Sequence, residues 1–304
     1  MNERSTGHIV VVGSLNMDLV VRSPRLPQPG ETIMGSSFQT FPGGKGANQA
    51  VAAARLGAPV KMIGRVGMDA FGNTLLESTA GDQVDVTFVY KDDSSPTGIT
   101  LVTIDDAGEN TIVTALGANF KLTPQDVSNA EAAFEGASIL LVQLEIPTPA
   151  IYRAVELAHQ HNMAVILNPA PVRNLVPDFL RSIDFLIPNQ TELALLAGME
   201  DFDAAANMLY NLGLENLIVT LGEEGALVIT PDLKTQIPAL RVPVVDTVAA
   251  GDAFVGAFAV ALNEGQSVLS AATFANRAAA FAVTREGAQP SLPTRQDLDG
   301  FPVR

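Results

Sequence analysis

Short apolar runs rich in β-branched residues alternate along this chain with segments whose apolar residues recur at helical spacing. The runs predicted as strands are Ile9–Val12, Val60–Ile63, Ser138–Val142, Ala164–Leu167, Phe185–Ile187, Asn216–Val219 and Ala226–Ile229. Helical patterns between them include Asn48–Leu56, Ala150–His159 and Asp203–Asn211. Strand–helix alternation of this kind indicates an α/β fold, with a mainly parallel sheet between two layers of helices.

Two regions, Met17–Phe41 and Thr97–Val113, interrupt the alternation. Both are predicted to form strands joined by turns rich in Pro, Gly and Asp, without an intervening helix. We interpret them as a small β-sheet lid that projects from the α/β body. The 304 residues contain no repeat of solenoid length and no low-complexity linker, so one domain with an inserted lid is preferred to two domains.

Charge and composition exclude several classes of protein. A formal net charge of −15 at pH 7 argues against nonspecific nucleic-acid binding, which requires a basic surface. No apolar run approaches the roughly 18 residues that cross a bilayer, so no membrane span is predicted. The polar stretch Met1–Gly7 lacks the features of a signal peptide. The absence of Cys excludes disulfides and thiolate metal sites, and it fits a cytoplasmic protein.

The stretch Val245–Phe258, with the sequence VDTVAAGDAFVGAF, has the clearest chemical pattern. It starts at the end of the apolar run Val242–Val245 and predicts the end of a strand, a turn of small residues and a helix N-terminus. Free N–H groups and a partial positive charge at such a terminus suit an anion, and the small residues Ala249, Ala250 and Gly251 allow it to approach the backbone. Asp252 could accept a proton from a hydroxyl group that attacks a phosphate. From these residues alone, an ordinary N-cap Asp explains the pattern equally well.

Two further polar clusters lie near predicted strands or helices. Asn16 and Asp18 follow the strand Ile9–Val12, and ligands of doubly wound sheets lie beyond the carboxyl ends of strands. Their side chains suit hydroxyl groups, although an Asx turn also explains them. The segment Pro42–Asn48 (PGGKGAN) opens an amphipathic helix, and its glycines permit close approach to Lys45. It is not a phosphate-binding loop of the G-x-x-x-x-G-K-[ST] type, because Lys45 is followed by Gly.

The residues D-T-V-A-A-G-D-A-F at 246–254 resemble the signature of the ribokinase family of PfkB-type sugar kinases. The similarity extends from about Ile9 to Pro293, and the G-G-x-G-x-N motif is matched at 43–48. It implies a ribokinase-like three-layer α/β/α fold with a β-sheet lid, Asp252 as catalytic base and an anion hole at 249–252. The implied sugar contacts are Asn16, Met17, Asp18, Gly44, Lys45, Gly46, Ala47, Asn48, Glu145 and Asp252.

The resemblance also implies a site for MgATP. Asn189 and Glu192 match the family's N-x-x-E motif, which organises magnesium-bound water near the phosphates. One carboxylate is enough, because Mg²⁺ keeps most of its waters. From the residues alone, this pair is a helix cap and the stretch Thr220–Gly225 is a hairpin turn. The implied ATP contacts are Asn189, Thr220, Leu221, Gly222, Glu223, Glu224, Gly225, Gly251 and Asn276.

The loop Ala282–Ser291 resembles the family's site for a monovalent cation. A large alkali ion such as K⁺ needs several oxygen ligands, and backbone carbonyl groups supply them without neutralising its charge. A cation beside Gly251 would strengthen the anion site. The resemblance implies side-chain ligands from Asp246 and Ser291 and carbonyl ligands from Val248, Ala282, Arg285 and Gly287.

The reaction implied by the resemblance is ATP-dependent phosphorylation of D-ribose at O5, giving D-ribose 5-phosphate and ADP. A helix N-terminus stabilises the ionised form of Asp252 and makes it a weaker base. A loose transition state relieves this tension, because the hydroxyl proton can leave late. The lid is expected to exclude water, and its open strand edges predict a homodimer formed through the lid.

Three alternatives stay open at this point. One is a deoxyribokinase or another sugar kinase of the family, although Asn16 and Asp18 favour a sugar with vicinal hydroxyl groups. Another is a noncatalytic sugar- or nucleotide-sensing protein, which the presence of Lys45, Gly251 and Asp252 argues against. The third is a dehydrogenase, which is disfavoured because no G-x-G-x-x-G follows the first strand.

Overall fold

The computed structural model describes residues 7–301, within which the chain forms thirteen strands and ten α-helices. The strands are β1 (His8–Val12), β2 (Asn16–Arg22), β3 (Ser37–Gly43), β4 (Val60–Gly67), β5 (Val84–Asp92), β6 (Gly98–Ile104), β7 (Asn110–Ala115), β8 (Ala137–Val142), β9 (Ala164–Leu167), β10 (Phe185–Leu186), β11 (Asn216–Thr220), β12 (Ala226–Thr230) and β13 (Leu233–Ile237). The helices are α1 (Lys45–Arg55), α2 (Ala70–Gly81), α3 (Pro124–Asn129), α4 (Thr148–Gln160), α5 (Pro177–Leu180), α6 (Gln190–Ala197), α7 (Phe202–Asn211), α8 (Ala250–Asn263), α9 (Val268–Ala282) and α10 (Arg295–Gly300). None of the helices in this part of the chain has the length and apolar character needed to span a bilayer.

Nine strands form the central sheet, in the order β13-β12-β11-β10-β9-β8-β1-β4-β5. The β11–β12 and β12–β13 pairs are antiparallel and the other neighbours are parallel. In β1, Ile9 and Val11 pack in the same core cluster as α1, α8 and α9, whereas Val10 and Val12 pack with α3, α4 and α7. A strand that is buried on both faces must be apolar throughout, which explains the continuous apolar runs in the sequence.

The order of the strands places a crevice beside β1. β4 and β5 extend the sheet on one side of β1, and β8 and all later strands extend it on the other side. The segments that leave the carboxyl ends of β1 and β8 therefore diverge. A doubly wound sheet binds its ligands at such a switch point.

A separate sheet of four strands has the order β3-β2-β6-β7. β2 pairs in parallel with β6 and antiparallel with β3, and β6 pairs antiparallel with β7. Together with the central sheet and its two helical layers, this arrangement confirms the predicted α/β fold with a smaller second sheet. The division of the chain into one domain, with lid segments at 17–41 and 97–113, stays a prediction.

The apolar run Val242–Val245, predicted as the end of a strand, does not form one. It lies in the irregular segment 238–249, where Val244 and Val245 are 65% and 63% exposed. Pro243 has no N–H group to donate to a strand ladder. The prediction was wrong because the apolar side chains at 242 and 244 line a cavity instead of a sheet.

Helices α1 and α8 cross closely beside the crevice. Gly256 of α8 lies against α1, where a Cβ would be 2.7 Å from the Cβ of Ala52 and 2.9 Å from the carbonyl oxygen of Gln49. Glycine is needed there because it lets the two backbones approach. The crossing brings the first turns of both helices together, so that Asn48 reaches Asp252.

We predict that Gly256→Ala destabilises the protein, although Ala is the better helix former. Helix propensity favours Ala by about 1 kcal/mol. The new methyl group, however, must displace backbone atoms of α1, and overpacking of this kind costs about 1–3 kcal/mol. Urea unfolding should therefore give a lower midpoint.

The matched control for this substitution is Gly81→Ala, at the last residue of α2. A Cβ at position 81 meets nothing within 4 Å, so this variant should be neutral or stabilising. Equal midpoints for Gly256→Ala and the wild-type protein would contradict the prediction.

Candidate active site

Helix α8 begins without a side-chain cap, and its first turn offers unpaired donors. Ala249, which precedes the helix, has a φ of 59°, a left-handed conformation that is uncommon for residues other than glycine. The N–H group of Ala250 is bound to the carbonyl oxygen of Thr247 at 3.3 Å, whereas those of Gly251 and Asp252 have no partner among residues 7–301. Backbone strain of this kind clusters at ligand sites. Together with the helix dipole, this turn suits a phosphoryl group.

The carboxylate of Asp252 is held by two amide donors from α1. Asp252 is 6% exposed. Its Oδ2 accepts a hydrogen bond from the Asn48 amide at 2.9 Å, and its Oδ1 accepts one from the Gln49 amide at 3.0 Å. The Oδ1 atom of Asn48 is buried and has no partner among the described residues. A buried acceptor without a partner is unusual, and a ligand hydroxyl group would satisfy it.

Lys45, the first residue of α1, lies among acidic side chains. Burial alone would lower the pKa of its ammonium group. The neighbouring carboxylates raise this pKa above its ordinary value instead, in decreasing order Asp252, Glu145, Glu192 and Asp18. Lys45 is therefore protonated at neutral pH. It lines a cavity of about 200 Å³ together with the start of α8, where it can compensate negative charge.

Asp18, on β2, is a strongly perturbed acid. Burial raises its pKa from 3.8 to about 7. The Thr100 hydroxyl group opposes this rise, while the charges of Glu145 and Asp252 add to it. The register of the small sheet explains the Thr100 contact, because Asp18 and Thr100 are paired between β2 and β6. Near neutral pH, Asp18 can gain or lose a proton according to what it binds.

Asn16 and Glu145 are fixed by partners on both sides of the crevice. The Oδ1 atom of Asn16 accepts a hydrogen bond from the Asn119 amide at 2.7 Å, which orients the NH₂ group of Asn16 as a donor for a ligand. Glu145, just after β8, accepts hydrogen bonds from the Ser14 hydroxyl group and from the N–H group of Lys45, the latter at 3.1 Å. Glu145 therefore also stabilises the start of α1.

Four other predicted sugar-contact residues can contribute at most backbone atoms. Gly44 precedes α1 with a φ of 90°, and a Cβ there would be 2.6 Å from a backbone nitrogen of β2. The N–H groups of Gly46 and Ala47 are bound to oxygen atoms of Ser14, at 3.3 Å and 2.9 Å. The side chain of Met17 is 2% exposed and belongs to the core.

A larger cavity, of about 1000 Å³, lies along the hairpin between β11 and β12. This hairpin contributes Thr220, Gly222, Glu223, Glu224 and Gly225 to the lining. Leu221 packs in the core instead. Because β11 and β12 are antiparallel, the predicted hairpin turn is confirmed. Asn276 also lines this cavity, and its amide donates to the carbonyl group of Pro238 at 2.8 Å.

The two cavities are adjacent. Their shared lining residues are Asn189, Thr220, Thr247 and Gly251. A nucleotide whose base occupied the larger cavity would therefore direct its phosphates towards the start of α8.

Asn189 and Glu192 form a reciprocal cap at the start of α6. Asn189 Oδ1 accepts from the Glu192 N–H group at 2.8 Å, and Glu192 Oε2 accepts from the Asn189 N–H group at 2.9 Å. Both residues also line the smaller cavity. Burial raises the pKa of Glu192, which the hydrogen bond from Asn189 and the charge of Lys45 oppose. The cap uses one carboxylate oxygen, so a capping role and a ligand role are compatible.

Asp246 joins the segment before α8 to the loop after α9. Its Oδ1 accepts a hydrogen bond from the N–H group of Val248 at 3.0 Å, and its Oδ2 accepts one from the N–H group of Gly287 at 2.9 Å. Three of the predicted cation ligands are thereby brought together.

The other three predicted cation ligands lie in or beside the same loop. Ala282 ends α9, and its carbonyl group accepts from the N–H group of Arg285 at 3.1 Å. The guanidinium carbon of Arg285 lies 4.1 Å from the centroid of the Phe281 ring. The Ser291 hydroxyl group donates to a backbone carbonyl at 2.7 Å. Within residues 7–301, no three His, Cys, Asp or Glu side chains are grouped as metal ligands.

Several polar residues around Asp252 were missed from the sequence. Gln49, Gln143 and Asn168 form hydrogen bonds behind the carboxylate. Gln143 and Asn168 directly follow predicted strands, which was a usable signal. Asn119 showed no such signal in the sequence, because the residue that it contacts, Asn16, is 103 positions away.

The comparisons with known proteins cover nearly the whole chain. A family model described as pfkB family carbohydrate kinase matches residues 6–295. The ribokinase of Haemophilus influenzae is 40% identical over 298 residues, which cover 96% of this chain and 97% of that protein. A deoxyribokinase of Salmonella typhi is 38% identical over 299 residues, which cover 96% of this chain and 98% of that protein.

The fold agrees with the sequence comparisons. The solved structure of Arabidopsis thaliana ribokinase, complexed with ribose and ATP, matches with a TM-score of 0.89 at 36% identity. The match covers 96% of this chain and 97% of that chain. On the family model, the identities and the fold together, this chain belongs to the pfkB family of carbohydrate kinases.

Proposed function

We propose that this protein transfers the γ-phosphoryl group of ATP to O5 of D-ribose, giving D-ribose 5-phosphate and ADP. The observation that carries the proposal is the position of Asp252. It is buried in the first turn of α8, beside unpaired N–H groups, and it lines the smaller cavity together with Lys45. Asn48 donates a hydrogen bond to the carboxylate of Asp252, whose charge acts on Asp18. The similarity to ribokinases, one of them complexed with ribose and ATP, supports this substrate pair.

In the proposed reaction, O5 of the sugar attacks the γ-phosphorus while the bond to the bridging oxygen of ADP breaks. Asp252 accepts the hydroxyl proton. The N–H groups of Gly251 and Asp252, together with the ammonium group of Lys45, compensate the charge on the phosphoryl oxygens. In a loose transition state the proton leaves late, so positioning carries most of the catalysis.

A second candidate function is phosphorylation of 2-deoxyribose. The Salmonella deoxyribokinase favours it, since its identity to this chain is close to that of the ribokinases. We prefer ribose because Asp18 is desolvated and can accept hydrogen bonds from two hydroxyl groups. A sugar that lacks one of them would leave a buried acceptor unpaired, which is costly.

We also propose Mg²⁺ and K⁺ as cofactors. Glu192 would hold Mg²⁺ through water, since its cap occupies only one carboxylate oxygen. Bound Mg²⁺ neutralises charge on the nucleotide phosphates. Asp246, whose carboxylate accepts hydrogen bonds from the N–H groups of Val248 and Gly287, would hold K⁺ near the start of α8 together with the carbonyl groups of those two residues. A single carboxylate among neutral oxygens suits a weakly bound monovalent ion.

We predict that ADP release from MgATP depends on ribose and is faster with K⁺ than with Na⁺. 2-Deoxyribose, fructose and adenosine should each give a lower kcat/KM, because each leaves polar groups of the site unpaired. ADP is measured by chromatography, so that no coupling enzyme responds to the cation. A higher kcat/KM for 2-deoxyribose would favour the second candidate function. Absence of turnover with every sugar would favour a noncatalytic sensor.

One substitution tests the role of Asp252 in this assay, and a matched substitution serves as its control. Asp252→Asn keeps the shape of the side chain but removes the proton acceptor, so kcat should fall by about 10²–10⁴-fold while ATP binding is retained. Asp232→Asn makes the same change in the exposed turn between β12 and β13 and should leave the rate unchanged. Turnover of Asp252→Asn near the wild-type rate would remove Asp252 from its proposed role.

We predict that ribose binds more tightly as the pH rises through about 7. Asp18 is protonated below its pKa of about 7 in the free protein, and only its carboxylate form offers both oxygens as acceptors to two hydroxyl groups. Affinity at pH 6 should therefore be about tenfold below its plateau at higher pH. Binding near neutral pH should release a proton, which calorimetry in buffers of different ionisation enthalpy measures. Asp18→Asn should bind weakly without proton release, and pH-independent affinity of the wild-type protein would contradict the prediction.

We further propose a homodimer formed through the four-stranded sheet. On the face of this sheet that carries Leu19, the register places Phe38, Leu101 and Val113, which are 61%, 47% and 64% exposed. A cluster of exposed apolar side chains beside open strand edges is typical of an interface.

We predict that the protein sediments with the mass of two chains and that Leu101→Lys shifts it to one, because the substitution buries a charge in the apolar interface. Leu195→Lys is the matched control, since Leu195 is 63% exposed on α6, outside this sheet. Sedimentation of the wild-type protein as a monomer at micromolar concentration would contradict the proposed dimer.

A further inference from the structure

A chain of side-chain amides lies directly behind Asp252. The Nε2 atom of Gln49 donates to Asp252 Oδ1 at 3.0 Å and to Asn168 Oδ1 at 3.2 Å. Its Oε1 atom accepts from the Nε2 atom of Gln143 at 2.6 Å. Gln49 and Gln143 are both 0% exposed. Two fully buried amides are costly unless they are hydrogen-bonded, so their connection to Asp252 needs an explanation.

We propose that Gln49 is a positioning residue for phosphoryl transfer, and that Gln143 and Asn168 act through it by fixing the orientation of its amide group. This inference rests on the proposed role of Asp252 as the proton acceptor. None of the three amides touches the reacting atoms in the proposed reaction. They determine the plane in which the Asp252 carboxylate is held.

The orientation of each amide group is set by neighbouring groups that can only accept hydrogen bonds. An ionised carboxylate has no hydrogen to donate, so Gln49 must turn its NH₂ group towards Asp252 and its oxygen towards Gln143. Asn168 is fixed in the same way, because its Nδ2 donates to the carbonyl group of Ile187 at 2.9 Å. Its oxygen is left for Gln49. A flipped Gln49 would set two acceptors against each other in a buried site, which is unfavourable.

Asn48 and Gln49 together hold both carboxylate oxygens of Asp252. Asn48 holds Oδ2 of Asp252 and Gln49 holds Oδ1, so the carboxylate is prevented from rotating about its terminal bond. Rotation matters because a proton acceptor displaced by about 1 Å can cost about 10²-fold in rate. Both amides present only N–H groups to Asp252, so neither can accept the transferred proton from its carboxyl group. The transferred proton therefore stays on the side of the carboxyl group that faces the sugar.

Three variants test the inference. Gln49→Met removes the donors at nearly constant length, and kcat should fall about ten- to a hundredfold, with KM for ribose and for ATP changed by less than about threefold. Gln49→Glu keeps the shape and the hydrogen bond from Gln143 but turns a second carboxylate towards Asp252, so kcat should fall at least as far. Gln143→Met should lower kcat less. The double variant should match Gln49→Met alone, because Gln143 acts only through Gln49.

The matched control is Asn263→Leu, which removes an amide at the other end of α8. Asn263 donates to the carbonyl group of Gly7 at 2.9 Å and accepts from the Ser138 hydroxyl group. Its loss should lower the unfolding midpoint without the fall in kcat. A folded Gln49→Met with kcat within about twofold of wild type, or multiplicative losses in the double variant, would overturn the inference.

Side-chain NMR separates this inference from the proposed function. The amide protons of Gln49 are assigned by their absence in Gln49→Met. They should exchange slowly with solvent in the wild-type protein and about tenfold faster in Gln143→Met, because a buried hydrogen-bonded group exchanges only on local opening. If no sugar is turned over, the proposed function fails while this measurement still tests the amide chain. Fast exchange in the wild-type protein would overturn the chain whatever the activity.

Discussion

The close crossing of α1 and α8 at Gly256 is the contact on which the candidate site depends. It places the first turn of α1, with Lys45 and Asn48, against the first turn of α8, with Gly251 and Asp252. These turns supply one ammonium group, unpaired N–H groups and a helix dipole in the same small space. The chain as a whole has a net charge of −15, so the attraction for a nucleotide must be local.

The balance of charge at the site follows from this packing. Burial lowers the pKa of Lys45, but the carboxylates of Asp252, Glu145, Glu192 and Asp18 raise it above its ordinary value. Burial, together with the charges of Glu145 and Asp252, raises the pKa of Asp18 to about 7. A protonated Asp18 lowers the excess of negative charge in the candidate site. A nucleotide triphosphate adds several negative charges to the same region. One lysine cannot compensate them, which is a physical reason to expect both a divalent and a monovalent cation.

Burial decided which parts of the fold could be predicted from the sequence. Strands buried on both faces, such as β1, appear as continuous apolar runs because every side chain meets the core. β5 was not predicted, since it carries Asp85, Thr87 and Lys91 among its apolar residues. The run Val242–Val245 was wrongly predicted as a strand, because its apolar side chains line a cavity. A one-dimensional pattern does not distinguish these two surroundings.

The candidate site was predictable where a short segment carries several of its residues. Asp252 and Asn48 stand in such segments, and the structure joins them by a hydrogen bond. Gln49 follows Asn48 directly and was still missed, because a polar residue in a predicted helix normally faces solvent. Asn119 orients Asn16 from a 3₁₀ helix of residues 117–121, and only the packed fold brings the two together.

Whether a polar side chain has hydrogen-bonding capacity left over distinguishes a ligand-binding residue from a structural one better than a sequence motif does. Glu192 caps α6 with one oxygen and keeps another, so its cap does not exclude a ligand role. The amide nitrogen of Asn276 donates one hydrogen bond to the carbonyl group of Pro238, so its oxygen and its second N–H group are left for a ligand. Asn48 gives the clearest case, because its Oδ1 is buried and unpaired within residues 7–301. An unsatisfied buried acceptor costs about 1–3 kcal/mol, which a sugar hydroxyl group placed between Asn48 and Asp252 would recover.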